Sequence, residues 1–164
     1  MQHLTIVTTG GTIDKIYFDD KSDYKIGAPQ IGEILAQLGV AFQFEVIPIL
    51  RKDSLHMGAD DRALVRSTIE GQANRHVLVT HGTDTMVETG RLLKSRLTAL
   101  CYPVILTGAM TPLGFERSDG LQNLTESLFA ARVLDPGVWI VIHNQVFDVD
   151  RTRKDREHAR FVAL

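Results

Sequence analysis

The chain has 164 residues, 44% of them hydrophobic, and a formal net charge of −2. That length suffices for one domain with a sizeable core, and the interspersed charges lack the basic run that indicates nucleic-acid binding. A single cysteine excludes an internal disulfide, and no apolar run approaches the roughly 20 residues that cross a bilayer, so we expect a cytoplasmic protein without a signal peptide.

Strands and helices are predicted to alternate along the chain. Runs of apolar, β-branched residues predict strands at residues 4–8, 44–50, 76–80, 103–107 and 138–143. Helical spacing predicts helices around residues 31–38, over 60–72, from Thr85 onward, and from Leu121 to a stop at Asp135-Pro136-Gly137. Thr85 and Glu88 have the spacing of a capping box. Continuously apolar strands favour a parallel sheet covered on both faces, so we predict one doubly wound, Rossmann/flavodoxin-like α/β domain over residues 1–164.

Polar segments follow four of the predicted strands. They are residues 9–12, 51–57, 81–84 and 108–111, and each is rich in hydroxyl, carboxyl or glycine groups. Sites in open parallel sheets lie beyond the carboxyl ends of the strands, so we expect these segments to converge on one edge of the sheet. The helix that begins at Thr85 directs its positive N-terminal end toward the same edge.

Two threonine motifs lie within these segments. They are Thr9-Gly10-Gly11-Thr12-Ile13 and His81-Gly82-Thr83-Asp84-Thr85. Alone, the first is typical of a turn, and phosphate binding is disfavoured because neither Gly-Lys-Ser/Thr nor G-x-G-x-x-G is present. The second alone fits a helix cap. Together they bring two hydroxyls, a carboxylate and backbone amides to adjacent strand ends, which suits attack on a carbonyl and stabilisation of the oxyanion.

The two motifs, in this order and at this separation, resemble those of the bacterial-type L-asparaginase family. The resemblance covers nearly the whole chain but only the larger N-terminal domain of the two-domain enzymes, so we expect a short form without the C-terminal domain. It implies hydrolysis of L-asparagine to L-aspartate and ammonia through a threonine acyl-enzyme, with no cofactor. We expect no metal either, because the six histidines lack metal-ligand spacing.

The resemblance also implies roles for individual residues. Thr12 is the nucleophilic threonine, Tyr24 contacts it from a mobile lid, and Thr83 is the second catalytic threonine. Asp84 holds the substrate's amino group, and Lys154 is the catalytic lysine. The implied substrate-binding residues are Gly11, Asp53, Ser54, Leu55, Gly82 and Ala109. Among them, Ser54 binds the substrate carboxylate and the Ala109 carbonyl faces the scissile amide. On chemical grounds, we expect the backbone amides of Gly11 and Thr83 to be the oxyanion donors.

Residues 15–27 are predicted to form the lid. This segment is polar and Asp-rich and shows neither strand nor helix periodicity, which is typical of a functional loop. Its Ser22-Asp23-Tyr24 sequence resembles the lid of the family. The chain departs from the family pattern at Asp14-Lys15, where small residues are common, and at Leu55, where many members place a polar residue against the substrate amine.

Several further expectations concern residues outside the motifs. Most histidines are expected on the surface or in loops, with His81 supporting its turn, and Cys101 is expected to be an inert packing residue. The charge-dense segment 148–156 is typical of a solvated tail, apart from Lys154. We expect a homodimer or homotetramer, with Phe161 and Val162 as contact residues, and neither a nucleic acid nor a membrane as a partner.

Other functions stay open at this point. The chain is alternatively an amidohydrolase for another amide such as glutamine, an asparagine-sensing binding module, or a subunit of a larger amidotransferase. The complete set of Thr12, Thr83, Asp84 and Lys154 favours an enzyme, because a sensor does not need all four. Which threonine forms the covalent bond is also open.

Overall fold

Strands and helices alternate along the described chain, which in this computed structural model comprises residues 3–18, 23–72 and 76–164. The strands are β1 His3–Thr8, β2 Lys15–Phe18, β3 Asp23–Ile26, β4 Gln43–Pro48, β5 His76–Thr80, β6 Pro103–Thr107, β7 Gly137–Ile142, β8 Gln145–Asp148, β9 Thr152–Asp155 and β10 Arg160–Ala163. The α-helices are α1 Ile31–Gln37, α2 Ala59–Glu70, α3 Met86–Arg96 and α4 Gly120–Val133. All five predicted strands and all four predicted helices are confirmed, with ends shifted by a few residues.

A six-stranded sheet forms the centre of the molecule, with strand order β4-β1-β5-β6-β7-β8. The first five strands in this order are parallel, and β8 runs antiparallel to β7. From β1 the chain moves outward to β4, then returns to the other side of β1 as β5. The strand order therefore reverses beside β1, and such a reversal opens a crevice beyond the carboxyl ends of the strands.

Helices cover both faces of this sheet. One core cluster contains Val65 of α2 and Leu93 of α3, and the other contains Leu35 of α1 and Leu124 of α4; all four side chains are fully buried. Successive strand residues point to opposite faces, so a strand buried on both sides must be apolar throughout. Burying one such side chain contributes roughly 1.5–3 kcal/mol. The predicted doubly wound α/β class is confirmed.

The start of α3 differs from the prediction. The Thr85 hydroxyl donates to the Ser54 carbonyl at 2.8 Å, and Glu88 pairs with Arg62 at 3.1 Å, so the predicted capping box is wrong. Both side chains make contacts distant in sequence in place of the local cap.

The predicted lid has regular structure. β2 and β3 pair as an antiparallel hairpin, so the expectation of a segment without strand structure is wrong, while Ser22 lies outside the described residues. The hairpin is separate from the central sheet, and its strands are largely exposed. β2 has the sequence Lys-Ile-Tyr-Phe without alternation, and β3 alternates over only four residues, so periodicity did not indicate either strand.

The C-terminal region packs as part of the fold. A 3₁₀ turn at Val149–Arg151 leads into β9, and β9 pairs with β10, so the segment is not a solvated tail. Phe161 is 2% exposed and its ring lies 6.2 Å from that of Phe147, centroid to centroid. Phe161 was predicted as a subunit contact, but its side chain is occupied within its own core, so that prediction is wrong.

Two smaller observations complete the fold. Cys101 is exposed, contrary to its predicted role as a packing residue. Within residues 3–18, 23–72 and 76–164, none of the helices has the length and apolar character needed to cross a membrane.

Candidate active site

Three loops meet at the crevice beside β1. Gly11 has φ 89°, and a Cβ on it would lie 2.5 Å from the Gly82 Cα. A Cβ on Gly82 would in turn lie 2.7 Å from the Ser54 side chain. Any larger residue at either glycine would force these loops apart, so both glycines are required by the close approach of the backbones. The two threonine motifs therefore touch each other and the Ser54 loop.

Backbone hydrogen bonds determine where these loops leave the sheet. The Thr9 amide and hydroxyl both donate to the Thr80 carbonyl, at 3.1 and 2.9 Å. The amide of His81 donates to the Thr107 carbonyl at 2.9 Å, and that of Lys52 donates to the Thr9 carbonyl at 3.0 Å. The ends of neighbouring parallel strands are thus aligned at one edge, as the sequence predicted.

Lys154 connects the second motif to β9. Its Nζ donates to the Thr83 hydroxyl at 2.7 Å and to Asp84 Oδ1 at 2.9 Å. Its side chain is only 13% exposed, and Arg156 Nε lies 3.6 Å from the same carboxylate oxygen. A partly buried ammonium with these two partners forms short, charge-assisted hydrogen bonds. A lysine 71 positions along the chain thus contacts Thr83 directly.

Arg91 holds the segment that carries Lys154, and sequence reasoning missed it. From α3, its Nε donates to the Val149 carbonyl and its second guanidinium nitrogen to the Thr152 carbonyl, both at 3.0 Å. Thr152 is itself buried. No motif signals such a residue, because its partners are backbone carbonyls about 60 positions away.

The Ser54 loop lies against the start of α3. Ser54 is 1% exposed and its hydroxyl accepts from the Thr85 amide at 3.3 Å. Asp53 caps the short helical turn by accepting from the Leu55 amide at 3.1 Å and pairs with Lys15 Nζ at 3.2 Å. Burial by itself would raise the pKa of Asp53, but these two hydrogen bonds outweigh it and the pKa is lowered. Leu55 projects outward and is 60% exposed.

A cavity of about 300 Å³ lies beside the first motif. It is lined by Thr12, Lys15, Tyr24, Met110, Pro112 and Phe115. The Tyr24 ring is half exposed and lies 5.8 Å from the Phe115 ring and 5.4 Å from the Tyr17 ring. The lid tyrosine and the predicted nucleophile thus line one space, next to Met110. The neighbouring residue Ala109 is buried.

His81 is buried rather than in an exposed loop, and it does support its turn. Its Nδ1 lies 2.8 Å from the Gly82 carbonyl and its Nε2 lies 2.9 Å from the Thr89 hydroxyl. The Gly82 carbonyl can only accept, so Nδ1 carries the proton of the neutral ring, and Nε2 accepts from the Thr89 hydroxyl, which itself accepts from Arg62 Nε at 3.1 Å. Burial lowers the pKa of His81 to about 4, so the imidazole stays neutral at neutral pH.

Asp14 is a buried carboxyl group at the base of the lid. Its Oδ1 accepts from the Gln30 amide at 3.4 Å, and its backbone carbonyl accepts from the Gly27 amide at 2.8 Å. Its Oδ2 is buried without a hydrogen-bond partner among the described residues. Burial raises the pKa of Asp14 from 3.8 to about 6, although the Gln30 amide and the charge of Arg51 act against this.

We expect Asp14→Asn to change how stability depends on pH. Between pH 3.8 and about 6 the folded chain binds more protons at Asp14 than the unfolded chain, so this group destabilises the fold as pH rises. His81 acts oppositely, because its folded pKa of about 4 is below 6.5 and the unfolded chain binds more protons in that window. The two effects offset each other in the wild type. Between pH 3.8 and about 6, the unfolding free energy of Asp14→Asn should therefore rise by roughly 3 kcal/mol more than that of the wild type.

Urea denaturation at pH 4, 5, 6 and 7 measures this effect. Asp135→Asn is the matched control, since the same substitution at an exposed position should leave the pH profile unchanged. If unfolding free energy depended on pH in the same way in the wild type and in Asp14→Asn, this would contradict the raised pKa of Asp14.

Comparison with known proteins places the chain in a family. A sequence model of the family described as "Asparaginase, N-terminal" matches residues 3–161. The chain belongs to the asparaginase family. Both threonine motifs and the Lys154 segment lie within the matched range.

Curated asparaginases are similar in sequence but longer. The L-asparaginase of Thermococcus kodakarensis is 28% identical over 157 residues, which are 92% of this chain and 47% of that protein. L-asparaginase 1 of Escherichia coli is 34% identical over 113 residues, which are 67% of this chain and 33% of that protein. The chain therefore spans less than half the length of these two relatives.

Solved asparaginase structures share the fold. L-asparaginase I from Vibrio cholerae is 28% identical and superposes with a TM-score of 0.86 over 99% of this chain and 51% of its own. The thermostable L-asparaginase from T. kodakarensis superposes with a TM-score of 0.87 at 25% identity, over 99% of this chain and 51% of its own. The whole described fold thus corresponds to about half of each asparaginase.

Proposed function

We propose that this chain hydrolyses L-asparagine to L-aspartate and ammonia, with Thr12 as the nucleophile. The observation that carries the proposal is the Lys154 ammonium, which bridges the Thr83 hydroxyl and the Asp84 carboxylate at 2.7 and 2.9 Å. A sensor of asparagine does not need a partly buried lysine that donates to a threonine hydroxyl. Family membership supports the same reading.

The proposed reaction has two steps. Thr12 Oγ1 forms a bond to the side-chain carbonyl carbon of asparagine while its hydroxyl proton passes to Thr83. Thr83 passes its own proton to Lys154 as the Lys154 ammonium gives one to Asp84, which is the final acceptor. The carbon–nitrogen bond then breaks, and the nitrogen takes this proton back through the relay and leaves as ammonia. Water attacks the resulting ester, regenerating Thr12 and releasing aspartate. The Gly11 and Thr83 amides are the proposed oxyanion donors, and losing one such donor costs roughly 3–4 kcal/mol in comparable enzymes.

Two polar contacts are proposed to orient the substrate. Asp84 holds the α-ammonium, and Ser54, aided by the turn that Asp53 caps, holds the α-carboxylate. The side chain of Leu55 offers no acceptor for the ammonium, so we infer relatively weak binding. A missing hydrogen bond to a charged group is worth roughly 1.5–3 kcal/mol.

Ammonia release from asparagine and from glutamine by the purified chain tests the proposal. We expect asparagine to be preferred by about 100-fold in kcat/KM, because one extra methylene moves the amide carbon away from Thr12 by about 1 Å while both anchors stay in place. Hydrolysis of neither amide would contradict an amidohydrolase, and equal kcat/KM values would remove the selectivity.

We also propose that the chain assembles into a homodimer or homotetramer. In support, three apolar side chains of α4, Leu121, Phe129 and Val133, are 45%, 66% and 59% exposed. Removing exposed apolar side chains from water in a subunit interface favours association. Light scattering at enzyme working concentrations measures this, and a monomer would contradict it.

A further inference from the structure

The Asp119 carboxylate lies behind the loop that follows β6. It accepts from the Met110 amide at 3.0 Å and from the Thr111 amide at 2.9 Å. Two consecutive amides on one carboxylate hold a peptide plane in a single orientation. Asp119 lies just before α4 and outside both threonine motifs.

Asn123 fixes the other end of the same loop. Its side-chain amide donates to the Gly108 carbonyl and to Asp119 Oδ2, both at 2.9 Å, and it is fully buried. Its Oδ1 accepts from the His143 amide at 3.0 Å. One side chain thus joins the loop after β6 to the end of β7.

His143 completes this network. Its Nε2 lies 2.8 Å from Asp119 Oδ2, and its left-handed backbone, with φ 53°, is stabilised by the bond from its amide to Asn123. Burial by itself would raise the pKa of Asp119, but hydrogen bonds from Met110, Thr111, His143 and Asn123 outweigh it and the pKa is lowered. The carboxylate is therefore ionised, and His143 Nε2 must be the donor.

The loop held in this way lies against the proposed nucleophile. Met110 lines the same cavity as Thr12, and the Leu113 amide donates to the Ile13 carbonyl at 3.1 Å. A shift of this loop would therefore change the positions of the atoms that surround Thr12. The proposed contacts for the substrate carboxylate and ammonium, Ser54 and Asp84, belong to other loops.

We propose that Asp119 and His143 are positioning residues for amide hydrolysis, which set the orientation of residues 108–111 beside Thr12. This inference rests on the proposed function. It predicts a loss in kcat with little change in KM, because the network orients the loop beside the scissile amide and leaves both substrate anchors in place. Misplacement of reacting groups by about 1 Å can cost about 100-fold in rate.

His143→Leu and His143→Gln form the main test. Leucine removes the donor to Asp119, and kcat should fall roughly 10- to 100-fold with KM changed less than about threefold. Glutamine supplies an amide donor at a similar reach, so kcat should stay within about threefold of the wild type. Thr125→Ala is the control, because Thr125 is exposed on the same helix and its hydroxyl donates to the Leu121 and Gln122 carbonyls of that helix, at 3.1 and 2.9 Å. It should leave kcat unchanged.

Hydrogen exchange of the Met110 and Thr111 amides provides a readout without turnover. Exchange should speed up in His143→Leu and stay slow in His143→Gln and Thr125→Ala. Asp119→Asn substitutes if His143→Leu does not fold, because it places an amide donor against the His143 donor. Unchanged exchange and unchanged kcat in these variants would overturn the inference. A wild type that releases no ammonia would overturn the proposed function, while the exchange data would still decide whether Asp119 and His143 hold the loop.

Discussion

Thr12→Ala should abolish ammonia release from asparagine while leaving the fold intact. The substitution removes the hydroxyl together with the γ-methyl group, and losing the nucleophile of a comparable hydrolase costs about 10⁶-fold in kcat. We expect a loss of at least roughly 10³-fold, measured as ammonia release at saturating asparagine. Thr12 is partly exposed in a 3₁₀ turn, and the turn's hydrogen bond from the Lys15 amide uses the Thr12 backbone carbonyl. Alanine preserves that bond, so the melting temperature should stay within about 3 °C.

Thr12→Ser is the matched control for this experiment. It keeps a hydroxyl at the same position, so it should retain measurable turnover where Thr12→Ala does not. Full activity in a folded Thr12→Ala protein would contradict the role of Thr12 and would direct attention to Thr83 as the nucleophile.

Lys154→Met should lower kcat by roughly 10²–10⁴-fold, the range that proton transfer by a positioned side chain contributes. Methionine retains much of the apolar stem but removes the Nζ that lies 2.7 Å from the Thr83 hydroxyl and 2.9 Å from Asp84. The loss should appear in kcat, measured at saturating asparagine. Arg156 Nε, 3.6 Å from Asp84 Oδ1, remains to balance the carboxylate in the variant.

Lys94→Met is the control for Lys154→Met. Lys94 also pairs with two carboxylate groups, Asp148 at 2.7 Å and Asp150 at 2.8 Å, but in a more exposed position than Lys154. Its replacement should leave turnover unchanged. Equal kcat values for wild type and Lys154→Met would remove the lysine from the mechanism.

The sequence by itself determined the central sheet and the edge that carries the candidate site. Strands buried on both faces must be apolar throughout, so runs of apolar residues in the sequence predicted their positions. Parallel strands have their carboxyl ends at the same edge of the sheet, so the position of the candidate site followed. The two threonine motifs followed such strands, which is why their meeting beside Ser54 was predictable. Gly11 and Gly82 are part of these motifs in the sequence, and only glycine permits the close approach of the two loop backbones.

Only the tertiary structure decided the contacts that support the site. The hairpin with Tyr24 consists of two four-residue strands that are too short to show a clear period, and Phe161 follows a charge-rich segment yet is buried against Phe147. Arg91 and Asp119 act on backbone groups of segments that the fold brings to them. Such contacts depend on where distant segments meet. Every residue type has a backbone carbonyl, and all except proline have a backbone amide, so the sequence does not indicate which of these groups will accept or donate. The contacts are known only from the three-dimensional arrangement of the loops around the sheet.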